Sequence, residues 1–121
     1  MSDVNFSFFK GAYPDMTTKN AYGVLGYPDE RIKIEDEDEP GDDLYYFTKE
    51  GRILLHASDY NNTIGLIEFR PKIKLYLKDI FRNKINVNEK KISFYCDDDF
   101  KFDIYLNEND NSINEIYWWF K

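Results

Sequence analysis

Residues 44–69, LYYFTKEGRILLHASDYNNTIGLIEF, lie over residues 93–118, SFYCDDDFKFDIYLNENDNSINEIYW, at a constant offset of 49 with no gap. Tyr46/Tyr95, Asn62/Asn111, Ile64/Ile113 and Ile67/Ile116 are identical pairs. Ile53/Phe102, Leu55/Ile104, Ala57/Leu106 and Phe69/Trp118 keep the apolar character. A repeat of this period points to one supersecondary unit used twice. Each copy reads as a three-strand meander, because period-2 alternation is broken by turn residues at matching places. In the first copy the strands are Leu44–Phe47, Arg52–Ala57 and Thr63–Phe69. In the second they are Ile92–Cys96, Phe100–Leu106 and Ser112–Phe120, with Asp97-Asp98-Asp99 as the first turn.

A helix is expected ahead of each meander. Thr17 is placed to cap a short helix running to about Leu25, which Gly26 and then Pro28 terminate. Before the second meander, Pro71 permits a helix start, and Ile73, Leu77, Ile80 and Phe81 fall on one helical face. Val4–Phe8 alternates like a strand. Residues 35–43, Glu-Asp-Glu-Asp-Glu-Pro-Gly-Asp-Asp, read as a self-repelling loop inserted into the first copy. The expected fold is therefore α+β: a tandem α-β-β-β repeat forming a two-layer sandwich. One curved antiparallel sheet of about six strands, seven with the N-terminal one, has its helices on one face. Residues 1–121 make one domain with pseudo-repeats at 16–70 and 71–121.

Agreement between the copies sorts the strands into faces. The expected inward set is Tyr45, Phe47, Ile53, Leu55, Ala57, Ile67 and Phe69, then Phe94, Cys96, Phe102, Ile104, Leu106, Ile116 and Trp118. Ile64 and Ile113 either require a bulge to join it or fall outside the pattern. The outward set contains Leu44, Tyr46, Arg52, Leu54, His56, Leu66 and Glu68 in the first copy. In the second it contains Ser93, Tyr95, Lys101, Asp103, Tyr105, Glu115, Tyr117 and Trp119. Tyr and Trp among a few charges give stiff contact area, the composition of a protein-binding surface. Two structural alternatives account for the same residues: another segment folds over this face, or the aromatics pair across strands and stabilise the sheet.

The net charge of −7 disfavours nucleic acid and anionic membrane surfaces and favours a cationic protein partner. Cys96 is the only cysteine, so no internal disulfide forms, and His56 is the only histidine. No Ser-His-Asp or Cys-His arrangement is evident, so no catalytic residues are expected. Zinc needs more His and Cys. The Asp59-Tyr60-Asn61-Asn62-Thr63 run starts like a calcium loop, but Ile64 stands at the glycine position and Arg70 at the glutamate position. No phosphate-cradling glycine motif is present, so neither metal nor cofactor is expected. The opening Met1–Asn5 lacks a basic and apolar leader, so cytoplasmic residence is expected.

The segment Met16–Asp29, with Leu25-Gly26-Tyr27-Pro28-Asp29 at its end, resembles the opening of the β-lactamase-inhibitor-protein-like fold. That fold is shared with small outer-membrane assembly lipoproteins. The run from Asp42 to Ile67 resembles that family's Tyr-rich strand and hairpin. The resemblance covers the first copy and implies an inhibitor that uses an exposed sheet face against a target protein. By analogy of size and acidity the chain also resembles bacterial immunity proteins. The expected function is then non-enzymatic neutralisation of a cognate, basic, nuclease-type toxin domain. The expected contacts are Tyr46, Tyr95, Asp103, Tyr105, Glu115, Tyr117 and Trp119, with Asp36 and Asp38 of the acidic loop. The alternative is a structural or assembly module that self-associates through its open sheet face, so both monomer and homodimer are open.

Overall fold

The computed structural model describes residues 7–81, 89–95 and 99–120. Seven strands form one open antiparallel sheet: β1 (Glu30–Ile34), β2 (Gly41–Phe47), β3 (Gly51–Ser58), β4 (Ile64–Pro71), β5 (Lys91–Tyr95), β6 (Phe100–Leu106) and β7 (Ile113–Phe120). Their order is β1-β2-β3-β4-β7-β6-β5. Among the described residues two short α-helices, α1 (Thr18–Leu25) and α2 (Leu77–Ile80), are added to it. The fold is thus mainly β. This corrects the expected two-layer α+β sandwich, because helices of eight and four residues are too short to make a second layer.

α1 forms where its caps predict. Thr17 Oγ1 accepts a hydrogen bond from the Asn20 amide at 3.1 Å, and Gly26 takes the left-handed φ of 80° that ends the helix. α2 is shorter than its apolar stripe suggests. Pro71 ends β4 instead of opening a helix. The chain bends at Lys72 and Ile73, and the Leu75 carbonyl then accepts from the Ile113 amide at 2.7 Å. Leu77, Ile80 and Phe81 are buried, while Ile73 is exposed.

β1 was not expected, and β2 begins inside the expected loop. It pairs with β2 from Glu30↔Tyr45 to Ile34↔Gly41, so Asp42 and Asp43 lie in a strand and only the turn at 35–40 remains. Aspartate is a poor strand former. Here both have side-chain partners: Arg31 pairs with Asp42 at 2.7 Å, and the His56 ring lies in hydrogen-bond contact with Asp43 at 2.8 Å.

The two meanders meet at β4 and β7 around a local two-fold. Glu68 stands opposite Tyr117, with Ile67↔Trp118 and Phe69↔Ile116 on either side. Matching bulges sit at Gly65 and Asn114, where the registers against β3 and β6 shift. Asn62 (φ 55°) and Asn111 (φ 60°) make the preceding turns. Each bulge swings an isoleucine, Ile64 or Ile113, into the core.

Faces on β3, β4, β6 and β7 follow the predicted alternation, but β2 is reversed. Leu44 and Tyr46 are buried, and Phe47 is exposed. The cause is one residue. The β2–β3 turn encloses four residues between Phe47 and Arg52, whereas the β5–β6 turn encloses five between Tyr95 and Lys101. A gap-free overlay misplaces β2 by one, which exchanges its faces. The inward assignments of Cys96 and of the Phe94 side chain, the Asp97-Asp98 part of the turn, and Val4–Phe6 of the N-terminal strand lie outside the described residues.

Ser7–Phe9 forms a 3₁₀ turn against the inner face. Phe9 packs there on Trp118, Phe69 and Phe102 at ring distances of 4.9, 6.2 and 6.5 Å. This turn therefore packs on the core side of the sheet. Tyr46 also belongs to the core side. Its hydroxyl donates to the Gly26 carbonyl at 2.9 Å, and burial pushes its phenol up to about 12. No helix among the described residues is long and apolar enough to cross a membrane.

Candidate binding face

The outer face has two halves of different chemistry. The half nearer β6 and β7 is filled by its own side chains. Asp103, only 6% exposed, accepts from the Trp119 indole at 2.9 Å and the Ser93 hydroxyl at 2.5 Å, with Lys101 at 3.5 Å. Burial pushes this carboxyl up, but these partners outweigh it and hold the group below its ordinary value. Tyr105 meets Tyr117 edge to face at 5.7 Å, and Tyr117 stacks on Trp119 at 6.1 Å. Tyr95 pairs in register with Lys101 at the far edge and is 60% exposed.

An ionic chain crosses the local two-fold. Arg52 contacts Glu68 at 3.0 Å, Arg70 contacts Glu68 at 3.7 Å, and Arg70 donates to Glu115 at 2.5 Å. The Tyr117 hydroxyl donates to the other oxygen of Glu115. Burial, and then the neighbouring Glu115 charge, raise the Glu68 carboxyl. Burial also opposes ionisation of Glu115, but Tyr117 and Arg70 hold it low. The bond to Glu115 raises the Tyr117 phenol above its usual range.

The half over β3 and β4 is open. A groove of about 560 Å³ has Leu54, Leu66 and Gly65 in its lining, with Trp119 reaching in from β7 and Tyr60 from the β3–β4 turn. Asp38 and Glu39 of the β1–β2 turn line it too, as does the His56–Asp43 pair. The Tyr60 hydroxyl donates to the Glu37 carbonyl at 2.9 Å, fastening one turn to the other. Asp36 does not line the groove. Its carboxylate accepts from the amides of Asp38 and Glu39 and shapes the turn.

Of the predicted contact residues, Trp119 and Asp38 therefore share the groove. Tyr105, Glu115, Tyr117 and Asp103 belong to the filled half. Tyr46 is displaced to the core by the β2 reversal. Sequence reasoning included Glu39 and Asp43 only as part of the acidic loop, did not single out Tyr60 or Gly65, and gave Leu54, His56 and Leu66 no role beyond facing outward. Their signal lay in positions where the copies diverge: Leu54 matches Asp103, Gly65 matches Asn114 and Leu66 matches Glu115. Among the described residues no three His, Cys, Asp or Glu side chains gather as a metal site.

No protein-family model and no curated protein matches this chain. Among solved structures, a cysteine-rich secretory protein from Staphylococcus aureus subsp. aureus Mu50 superposes on 90% of the chain with a TM-score of 0.59 and 12% identity. The chain spans 45% of that protein's length, and at this identity the likeness concerns the fold alone. It overturns the resemblance to the β-lactamase-inhibitor-protein-like and lipoprotein fold, and with it the analogy to immunity proteins. The Leu25–Asp29 segment on which that resemblance leaned is a capped helix end and a bend. Local capping physics produces such a segment without shared ancestry. The chain is similar in fold to the staphylococcal protein over a single open seven-stranded antiparallel sheet.

Proposed function

We propose that this chain is a non-enzymatic protein-binding domain whose outer groove receives a cationic segment of a partner protein. One observation carries the reading: the acidic β1–β2 turn and the Trp119 side chain converge on one groove of the outer face. Asp38 and Glu39 have no ion-pair partner among the described residues. By contrast Asp42, Glu68, Asp103 and Glu115 each face a cation. An apolar floor rimmed by unpaired charge supplies burial and orientation together. The net charge of −7 adds long-range attraction for a basic surface.

Selection from a displayed random-peptide library against the full chain tests this reading. Recovered peptides are expected to carry net positive charge, and Gly65→Phe is expected to abolish their binding. Peptides that bind equally well to Gly65→Phe overturn the reading. So does a tight homodimer in sedimentation that buries Trp119, since the groove would then belong to self-association.

A further inference from the structure

We infer that the groove selects an arginine side chain on its partner, and that the bare bulge at Gly65 is the feature that admits it. This rests on the protein-binding reading above and names the group recognised.

The argument begins with Gly65. A Cβ built there meets nothing within 4 Å, and its backbone lies outside the positive-φ region that demands glycine. Packing and conformation therefore leave the position free. The other meander confirms that the bulge itself tolerates a side chain, because Asn114 occupies the equivalent place and is exposed. What glycine contributes at 65 is open space in the groove. Gly41 and Gly51 differ: a Cβ there would meet a backbone carbonyl oxygen at 2.1 and 2.3 Å, so strand packing requires them.

The lining chemistry identifies the occupant. Leu54 and Leu66 suit a methylene stem. Trp119, covered by Tyr117 on one side and 38% exposed, offers an aromatic surface. Asp38 and Glu39 supply negative charge. A lysine satisfies the charge but presents a compact, strongly hydrated head. A guanidinium is planar, stacks on indole and phenol rings, and binds carboxylates through two donors. The combination of ring walls with adjacent carboxylates favours it.

The test uses three blocked tripeptides, glycine–X–glycine, with X as arginine, lysine or citrulline. Each is titrated into the full chain while the Trp119 indole and residue 65 amide resonances are followed. The arginine peptide is expected to give saturable shifts. Citrulline, with the same shape and no charge, is expected to bind about tenfold more weakly, as the loss of one charge-assisted contact implies. Lysine is expected to fall between them. Gly65→Phe is expected to remove the shifts. If that variant fails to fold, the Asp38→Asn/Glu39→Gln double variant carries the test, with about a tenfold loss of arginine affinity expected. Equal binding of arginine and citrulline, or of arginine and lysine, overturns the inference. So does undiminished arginine binding in a folded Gly65→Phe chain. If arginine fails while library-selected peptides still bind in a manner sensitive to Gly65→Phe, only the arginine inference falls. If neither binds, the protein-binding reading falls as well.

Discussion

The two halves of the outer face come from one meander used twice, yet one is closed and the other open. Where β6 and β7 carry Asp103, Tyr105 and Glu115, β3 and β4 carry Leu54, His56 and Leu66. In the closed half, Trp119, Ser93, Tyr117 and Arg70 saturate the carboxylates. In the open half, leucines and a glycine leave a groove beside an acidic turn. The difference teaches that a wealth of surface aromatics is not itself a binding site. Most of these rings already have partners, and recognition is better served where the lattice stops.

Exchanging residues between equivalent positions breaks this comparison most strongly. Glu115→Leu removes the acceptor of the Tyr117 hydroxyl and one of two carboxylates facing Arg70. About 2–3 kcal/mol of stability is expected to be lost in urea denaturation, because partly buried groups are left unpaired. The reciprocal Leu66→Glu is expected to change stability by less than about 1 kcal/mol, since water reaches that side. Equal losses would mean that the halves are not different in kind.

Acid sharpens the same contrast with a smaller effect. Asp103 and Glu115 have depressed folded-state pKa values. Their stabilisation is complete above the unfolded carboxylate range near 4 and is lost as pH falls through the folded values. Glu68 has the opposite sign: its raised carboxyl stabilises at low pH and loses that contribution as pH rises through its folded value. Asp103→Asn is expected to flatten the acid limb of a stability–pH profile by about 1 kcal/mol, measured between about pH 2 and 5. An unchanged limb would show that Asp103 is not held as described.

The smallest effect belongs to the bulge. Gly65→Asn gives the first meander the residue of the second, and thermal unfolding is expected to move by less than the equivalent of about 0.5 kcal/mol. A large loss would show that glycine is required by the fold and not by the groove.

Much of the fold was legible in the chain. The overlay marked Ile64 and Ile113 as misfits that a bulge would reconcile, and it sorted the faces of four strands correctly. Thr17 and Gly26 marked α1. Three things were hidden. β1 was hidden because Glu30 to Lys33 are exposed and only Ile34 is half-buried, so no alternation marks the strand. β2 was reversed because the hairpin turns differ by one residue, which no gap-free overlay can represent. The groove was hidden because it is built from a floor in one copy, a wall from β7 and the rim of an inserted turn. These are distant in sequence and were brought together by the β4–β7 pairing. Tyr46 shows the consequence most plainly: an identical residue in both copies, read as an outward anchor, holds the end of α1 from beneath.

A two-dimensional NMR titration of the full chain with a library-selected cationic peptide tests the central contrast most directly. Shifts are expected to converge on the amides of Leu54, His56, Gly65 and Leu66 and on the Trp119 indole, while Ser93, Lys101 and Tyr105 stay in place. Shifts centred on Tyr95, Lys101 and Tyr105, with Gly65 unmoved, would contradict the account.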